Sequence, residues 1–293
     1  MKWQVIVNPN AGSRTFDSTM LPGLLADRNI DAEVHASTSV ADMYSAVATA
    51  QASGISHFAA VGGDGTAHHV LNAVMESQPS ARQTMALIPA GSGSDFVKTF
   101  GHNSDIEPAV DRLADMNRYT VDIGHIEGTF GARYFLNAAN SGVAAASVRA
   151  AERLPRSVGS LRYTTAFWGA LARFRQARVG VDIDRHRFDG DAINIVVANG
   201  QFFGGGLNIA PRATLVDGEF DVQVFSGPRR NAFTVMPRLA FGTHLTHRAV
   251  RRYIGATVRI EAPTTWPVEA DGELLGTGSV TITAIPGAMD FII

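Results

Sequence analysis

Residues 58–66 read FAAVGGDGT: an apolar run of strand type, three glycines within four positions enclosing a carboxylate, and a threonine. Such a stretch delivers a buried strand into a turn in which no Cβ stands between the backbone amides and whatever approaches them. Gly62, Gly63 and Gly65 can each adopt positive φ and turn their N–H groups outward, the arrangement that receives a phosphate. Thr66–Met75 continues with helical spacing, Val70, Ala73 and Val74 on one face, which predicts Thr66 as the N-cap and a positive helix end pointing back at the loop. Asp64 is the odd member, because a carboxylate beside a phosphate is repelled unless a divalent cation lies between them or it faces a hydroxyl as a base. Taken alone, Asp-Gly is also a common turn pair.

The chain of 293 residues exceeds what one core usually holds, so two domains are expected. Its 45% hydrophobic and 18% charged residues describe a globular protein. The absence of cysteine excludes disulfides, thiol nucleophiles and thiolate metal sites, and fits a cytoplasmic location. The start MKWQVIVNPN is too short an apolar run for a signal peptide, and nowhere do 18 apolar residues run uninterrupted, so no transmembrane segment is expected.

The net charge of −2 conceals an asymmetry. Residues 1–148 carry 8 Lys/Arg against 14 Asp/Glu, whereas 149–252 carry 16 Arg against 8 acids. In the second stretch Arg149, Arg153, Arg156, Arg162, Arg173, Arg175 and Arg178 are interleaved with Leu154, Leu161, Tyr163, Phe167, Trp168 and Phe174. Arginine mixed with exposed aromatics suits a surface that meets anionic headgroups. It suits nucleic acid equally, and a solvated helix over 160–178 with its aromatics turned inward would give the same pattern.

Strand and helix alternate over the first 125 residues. Strands are predicted at Trp3–Val7, Ala32–His35, Phe58–Val61 and Met85–Ile88, with helices over 18–28, 40–53, 67–77 and 106–116. That order implies a parallel sheet covered by helices, whose ligands gather at the carboxyl ends of the strands. The turns NPNAGS (8–13), GGDGT (62–66) and PAGSGSDF (89–96) stand at three such ends and could line one cleft. From about residue 120 the texture changes to short period-2 runs, among them Tyr119–Ile123, Tyr134–Ala139, Val179–Ile183, Ala192–Ala198 and Phe220–Val224, interrupted by helices near 143–152, 160–175 and 231–247. An antiparallel β-sandwich is expected there. The domains are therefore placed at 1–124 and 125–285, with 286–293 available to rejoin the first.

The motifs in sequence order are VNPNAGS (7–13), GGDGT (62–66), PAGSGSDF (89–96), VDIGHI (121–126), FLNAANSGV (135–143), ANGQFFGGGLNIAPRATLVDGEFDV (198–222) and VEADGE (268–273). With them the chain resembles the diacylglycerol kinase catalytic family, in particular its bacterial lipid kinases. NAD kinases and phosphofructokinase-like proteins share GGDGT alone; the whole series is far more specific. The resemblance implies a phosphofructokinase/NAD kinase-like α/β nucleotide-binding domain followed by an antiparallel β-sandwich that receives the lipid, with ATP in the cleft.

Residue by residue, the resemblance assigns Asn8, Thr38, Gly62, Gly63, Asp64, Gly65, Thr66 and Ser92 to ATP. It puts Asp271 and Glu273 of the DGE turn at the catalytic position, Glu273 resembling the base that takes the proton from the lipid hydroxyl. A carboxylate aimed at an alcohol O–H while Mg²⁺ holds the γ-phosphate is what phosphoryl transfer requires. Which of the two carboxylates does so is open at this point. TLVDGEFD (214–221) concentrates three carboxylates beside a glycine turn, a hard-oxygen set suited to Mg²⁺ or Ca²⁺. The resemblance implies a second, structural Mg²⁺ on Asp217 with the carbonyls of Thr214 and Glu219, joined through water toward Asp122.

The chain departs from the family pattern at two points. His69 stands where an acid is usual, and Ser94 replaces an asparagine. His68 and His69 are about 100° apart on a helix and cannot both face one site. The expectation is an ATP- and Mg²⁺-dependent lipid kinase, diacylglycerol its simplest acceptor, visiting a membrane surface without spanning it, with no nucleic-acid partner and with a homodimer left open. An NAD kinase-like or other small-molecule kinase, or a catalytically weak nucleotide-binding regulator, are the alternatives.

Overall fold

The computed structural model describes residues 1–9, 18–77, 79, 81–90, 95–102, 105–154 and 161–293, without the side chains at 18, 161 and 162. The chain divides into two units, Met1–Ile123 with Pro286–Ile293, and Gly124–Ile285.

In the first unit the elements run β1 (Trp3–Val7), α1 (Leu21–Asp27), β2 (Ala32–Ala36), α2 (Val40–Ala52), β3 (His57–Gly62), α3 (Asp64–Glu76), β4 (Gln83–Pro89), α4 (Asp95–Lys98), α5 (Ile106–Asp115) and β5 (Arg118–Gly128). The strands pair in parallel in the order β4-β3-β1-β2. Every residue of β1 and β4 is buried, as are the last five of β3, the continuous apolar run that a sheet covered on both faces demands. Trp3, Val5, Val7, Ala59, Val61, Ala86 and Ile88 meet Leu21 and Leu25 of α1 and Ala109, Val110 and Leu113 of α5 in one core. Helix α2 opens on Ser39, whose side chain accepts from the Asp42 N–H, and α5 stops at Met116, whose φ of 55° is left-handed.

The second unit contains β6 (Gly131–Phe135), β7 (Ala138–Gly142), α6 (Val143–Glu152), α7 (Leu161–Arg173), β8 (Ala177–Ile183), β9 (His186–Ala198), β10 (Phe202–Phe203), β11 (Leu207–Asn208), β12 (Phe220–Ser226), α8 (Ala232–Ala240), β13 (Val250–Gly255), β14 (Thr257–Glu261), β15 (Pro267–Ala270), β16 (Glu273–Thr277) and β17 (Val280–Ile292). The pairings of β6 to β16 among the described residues are antiparallel, and β9 is the hub, meeting β8 along its first half and β7 and β12 along its second. Val179, Val181, Ile195, Val197, Val222, Val258 and Ile282 fill the core. The end of β17 leaves this unit: Met289, Asp290 and Phe291 pair in parallel with Gln83, Thr84 and Met85 of β4.

Several sequence expectations shift. Tyr134–Ala139 is not one strand but the junction of β6 and β7. The helix expected over 231–247 ends at Ala240, because Gly242 turns left-handed at φ 65°. The helix expected from 67 begins at Asp64, three residues early.

Candidate active site

Parallel pairing aligns the ends of three neighbouring strands. Val7 lies opposite Val61 and Gly62 opposite Pro89, so Asn8, Gly63 and Ala90 follow neighbouring strand ends, while 10–13 and 91–94 of the expected turns lie outside the described residues. The Asn8 N–H donates to the Val61 carbonyl at 3.1 Å and the Ala90 N–H to Gly62 at 3.0 Å. The Asn8 side-chain amide then donates to the Thr66 hydroxyl at 3.2 Å, tying the first turn to the glycine loop.

The glycine loop differs from expectation in an instructive way. Gly63, with φ −102° and ψ −168°, is the N-cap of α3, and Asp64, Gly65 and Thr66 form its first turn. Thr66 is thus a first-turn residue and not the cap, and none of the three glycines takes the positive φ anticipated for them. What requires glycine at 62 is space: a Cβ there would lie 2.2 Å from the Thr66 hydroxyl oxygen. The Asp64 carboxylate accepts from the backbone N–H groups of Asp95 (2.9 Å) and Phe96 (3.4 Å), so it holds the start of α4 against the loop. Thr38 gives both its N–H (2.8 Å) and its hydroxyl (3.2 Å) to Asp42, within the cap of α2. His68 is buried and His69 half-buried, their rings edge to face. Ser92 and Ser94 lie outside the described residues.

In the second unit, Ala270 of β15 pairs with Glu273 of β16, leaving Asp271 and Gly272 as a two-residue hairpin loop. Both have positive φ (50° and 84°), the turn that Asp-Gly favours because it matches strand twist. The Asp271 carboxylate accepts from three backbone N–H groups, those of Leu136 (2.8 Å), Asn137 (2.9 Å) and Ala138 (3.2 Å). Glu273, the first residue of β16, is half-buried.

Glu269 was missed by sequence reasoning. It is completely buried in β15, and burial pushes its carboxyl up to about 8 against the N–H of Gly272 and the amide of Asn140, which favour the charged form, and with Asp271 and Glu273 nearby adding to the rise. Asn140 donates to it at 2.5 Å and Gly272 at 2.8 Å. Asn140 in turn accepts from Asn194 (3.2 Å), which accepts from the Ala144 N–H at the start of α6 (2.9 Å). The signal available in the sequence was an acid inside a short strand with apolar neighbours on both sides, Val268 and Ala270.

Asn140 and Asn194 also stand on the wall of a small pocket of about 100 Å³ whose lining residues all belong to the second unit. Otherwise its lining is dominated by apolar side chains: Val143 of α6, Phe167 and Leu171 of α7, Ile193 of β9, and Val235 and Leu239 of α8.

The acidic turn divides. Asp217 is exposed and accepts from the Glu219 N–H at 3.1 Å, and Thr214 and Glu219 are exposed beside it. Asp221 is buried in a pair with Arg252 at 2.6 Å and joins Gln223, itself bonded to the buried His244. Asp122 belongs to the first unit and accepts from the Gly287 N–H at 2.7 Å. Among the described residues no three His, Asp or Glu side chains cluster as a metal site. Nor is any helix there long and apolar enough to cross a membrane.

Comparison with known proteins matches the chain in two parts. Residues 2–126 match the diacylglycerol kinase catalytic domain and residues 137–293 the YegS C-terminal NAD kinase beta sandwich-like domain. The diacylglycerol kinase of Bacillus subtilis is 25% identical over 280 residues, spanning 93% of this chain and 90% of that protein. The "probable lipid kinase YegS-like" protein of Cronobacter sakazakii is 26% identical over 282 residues, 94% of this chain and 92% of its own length. A diacylglycerol kinase crystal structure from Bacillus anthracis superimposes with a TM-score of 0.75 at 20% identity, covering 99% of this chain and 96% of that one. An α/β unit with a phosphate-type glycine loop, followed by an antiparallel β unit bearing the DGE hairpin, together with these matches, shows that the chain belongs to the diacylglycerol kinase and YegS-like lipid kinase family of phosphotransferases.

Proposed function

We propose that this protein transfers the γ-phosphate of ATP to a lipid hydroxyl, with diacylglycerol as the simplest acceptor and phosphatidic acid as product. The observation that carries the acceptor side is the apolar pocket of the second unit. Its wall residue Asn140 is one hydrogen bond from Glu269, in the same hairpin as Glu273. Its apolar lining suits the hydrocarbon part of a lipid and suits neither a dinucleotide nor a sugar phosphate, whose polar groups would be buried without partners.

Glu273 is the residue assigned to take the proton from the attacking hydroxyl. Asp271 is less suited, since three backbone N–H groups already occupy its oxygens; its work is to hold the loop at which Glu273 begins. On the donor side, the N–H groups at the start of α3, with the paired Asn8 and Thr66, make an anion-receiving helix end for the phosphates. Asp64 and Thr38 act at one remove, by fixing the start of α4 and the cap of α2. The exposed oxygens of Asp217 and the carbonyls of Thr214 and Glu219 suit a hard cation. That cation would be structural; a separate Mg²⁺ bound with ATP would neutralise charge building up on the transferring phosphoryl group.

The test is transfer of radiolabelled phosphate from ATP in the presence of Mg²⁺ and mixed lipid vesicles, with soluble NAD and fructose 6-phosphate as competing acceptors. Label in the lipid phase is expected. Label only on a soluble acceptor, or thermal stabilisation by ATP with no turnover at all, would refute the proposal.

A further inference from the structure

We infer that α8, together with Trp168 of α7, is a membrane-docking element that seats the second unit on a bilayer bearing anionic headgroups. This extends the lipid-kinase reading by naming the surface through which the acceptor arrives, and the docking can be measured without turnover.

The helix has two unlike faces. Val235 and Leu239 point inward and line the pocket. On the opposite side Phe233, Pro237 and Phe241 follow one another at four-residue spacing, all exposed, Phe233 at 68% and Phe241 at 81%. Large aromatics at that exposure, on the outer side of a helix whose inner side walls an apolar pocket, place apolar surface in water for which the fold has no use of its own. The patch is continuous with α7: Phe233 stacks on Trp168 at 4.9 Å, and the Arg229 guanidinium donates to the Ala172 carbonyl at 2.6 Å, locking the segment before α8 to the end of α7.

The charge of these segments selects the partner. Between Asp221 and Glu261 no acid occurs, while Arg229, Arg230, Arg238 and Arg248 do; between Glu152 and Asp182, the stretch containing α7, there is again none. Exposed Arg230 and Arg238 flank the phenylalanine stripe. Apolar rings that enter the acyl boundary, flanked by arginines that reach lipid phosphates, are the composition of an interfacial helix. Duplex nucleic acid would use the arginines and leave two exposed phenylalanines in water.

Flotation of the full-length protein with phosphatidylcholine vesicles, with and without phosphatidylglycerol, tests this. Binding is expected only with phosphatidylglycerol. Phe233→Ser with Phe241→Ser should lower partition at least about tenfold, and Arg230→Gln with Arg238→Gln should lower it and flatten its salt dependence. Trp3 and Trp266 are buried at 2% and 4% exposure, so a blue shift of fluorescence on binding reports Trp168. A thermal melt checks that each variant is folded. Variants that bind vesicles like the parent, equal binding to neutral vesicles, preference for duplex DNA, or a patch that disappears into a dimer broken by the same phenylalanine substitutions would each overturn the inference. Loss of kinase activity alone, with vesicle binding intact, would count against the function and leave the docking standing.

Discussion

The amide of Asn140 donates to the wholly buried carboxyl of Glu269 at 2.5 Å, so the wall of the apolar pocket and the hairpin carrying Asp271 and Glu273 share one buried polar contact. Titration of Glu269 should therefore be felt both at the pocket wall and in the hairpin.

Its ordinary value is 4.5 and its folded value about 8, so between those limits the folded protein holds a proton the unfolded chain has released. Stability from this group is therefore full below about pH 4.5 and is lost progressively as pH rises to about 8, by up to about 5 kcal/mol. Urea unfolding midpoints measured across that range should fall with pH in the parent and flatten in Glu269→Gln. Parallel slopes for the two proteins would show that Glu269 does not titrate there.

Asp271 and Glu273 should separate cleanly. Asp271→Asn turns a side-chain N–H against backbone donors and should cost about 2–3 kcal/mol of stability. Glu273→Gln should leave the melting temperature nearly unchanged and lower kcat by about 10²–10⁴. The comparison is a thermal melt beside a steady-state assay, and the reverse pattern would exchange the two roles.

Gly62→Ala drives a methyl into the Thr66 hydroxyl, 2.2 Å away on the present backbone, so Thr66 must give way and release Asn8. A loss of about 1–3 kcal/mol and a raised KM for ATP are expected, measured by unfolding and by nucleotide titration.

Filling the pocket should act on the acceptor alone. Ala232→Trp places an indole beside Val235 and Phe167; turnover of long-chain lipid should drop while thermal stabilisation by ATP is unchanged. A uniform loss of both would mean that the fold had been damaged.

Much of this molecule was legible in its letters because the relevant physics is local. Continuous apolar runs announced β1, β3 and β4, and Asp271-Gly272 announced a turn, whereas the strand β16 that makes it a hairpin went unread. The start of α3 was misplaced because two glycines and an aspartate are poor helix formers in isolation, whereas here Gly63 caps the helix and Asp64 is anchored by the amides of Asp95 and Phe96, thirty residues onward. Glu269 escaped notice for a related reason: its burial and its partners Asn140 and Gly272 come from pairing of β15 with β7 and β16, which no local pattern reports. The pocket is less legible still, being assembled from α6, α7, α8 and β9.

The end of β17 bears on how the protein comes to exist. Met289, Phe291 and Ile292 are buried, and Met289 to Phe291 extend the sheet of the first unit beside β4. A ribosome delivers β1 to β4 early, yet the edge of β4 must wait through the synthesis of the whole second unit for its neighbour. Nascent chains stalled before residue 289 should therefore keep that edge open to chaperones or to mispairing, and removing residues 289–293 should destabilise the first unit before the second.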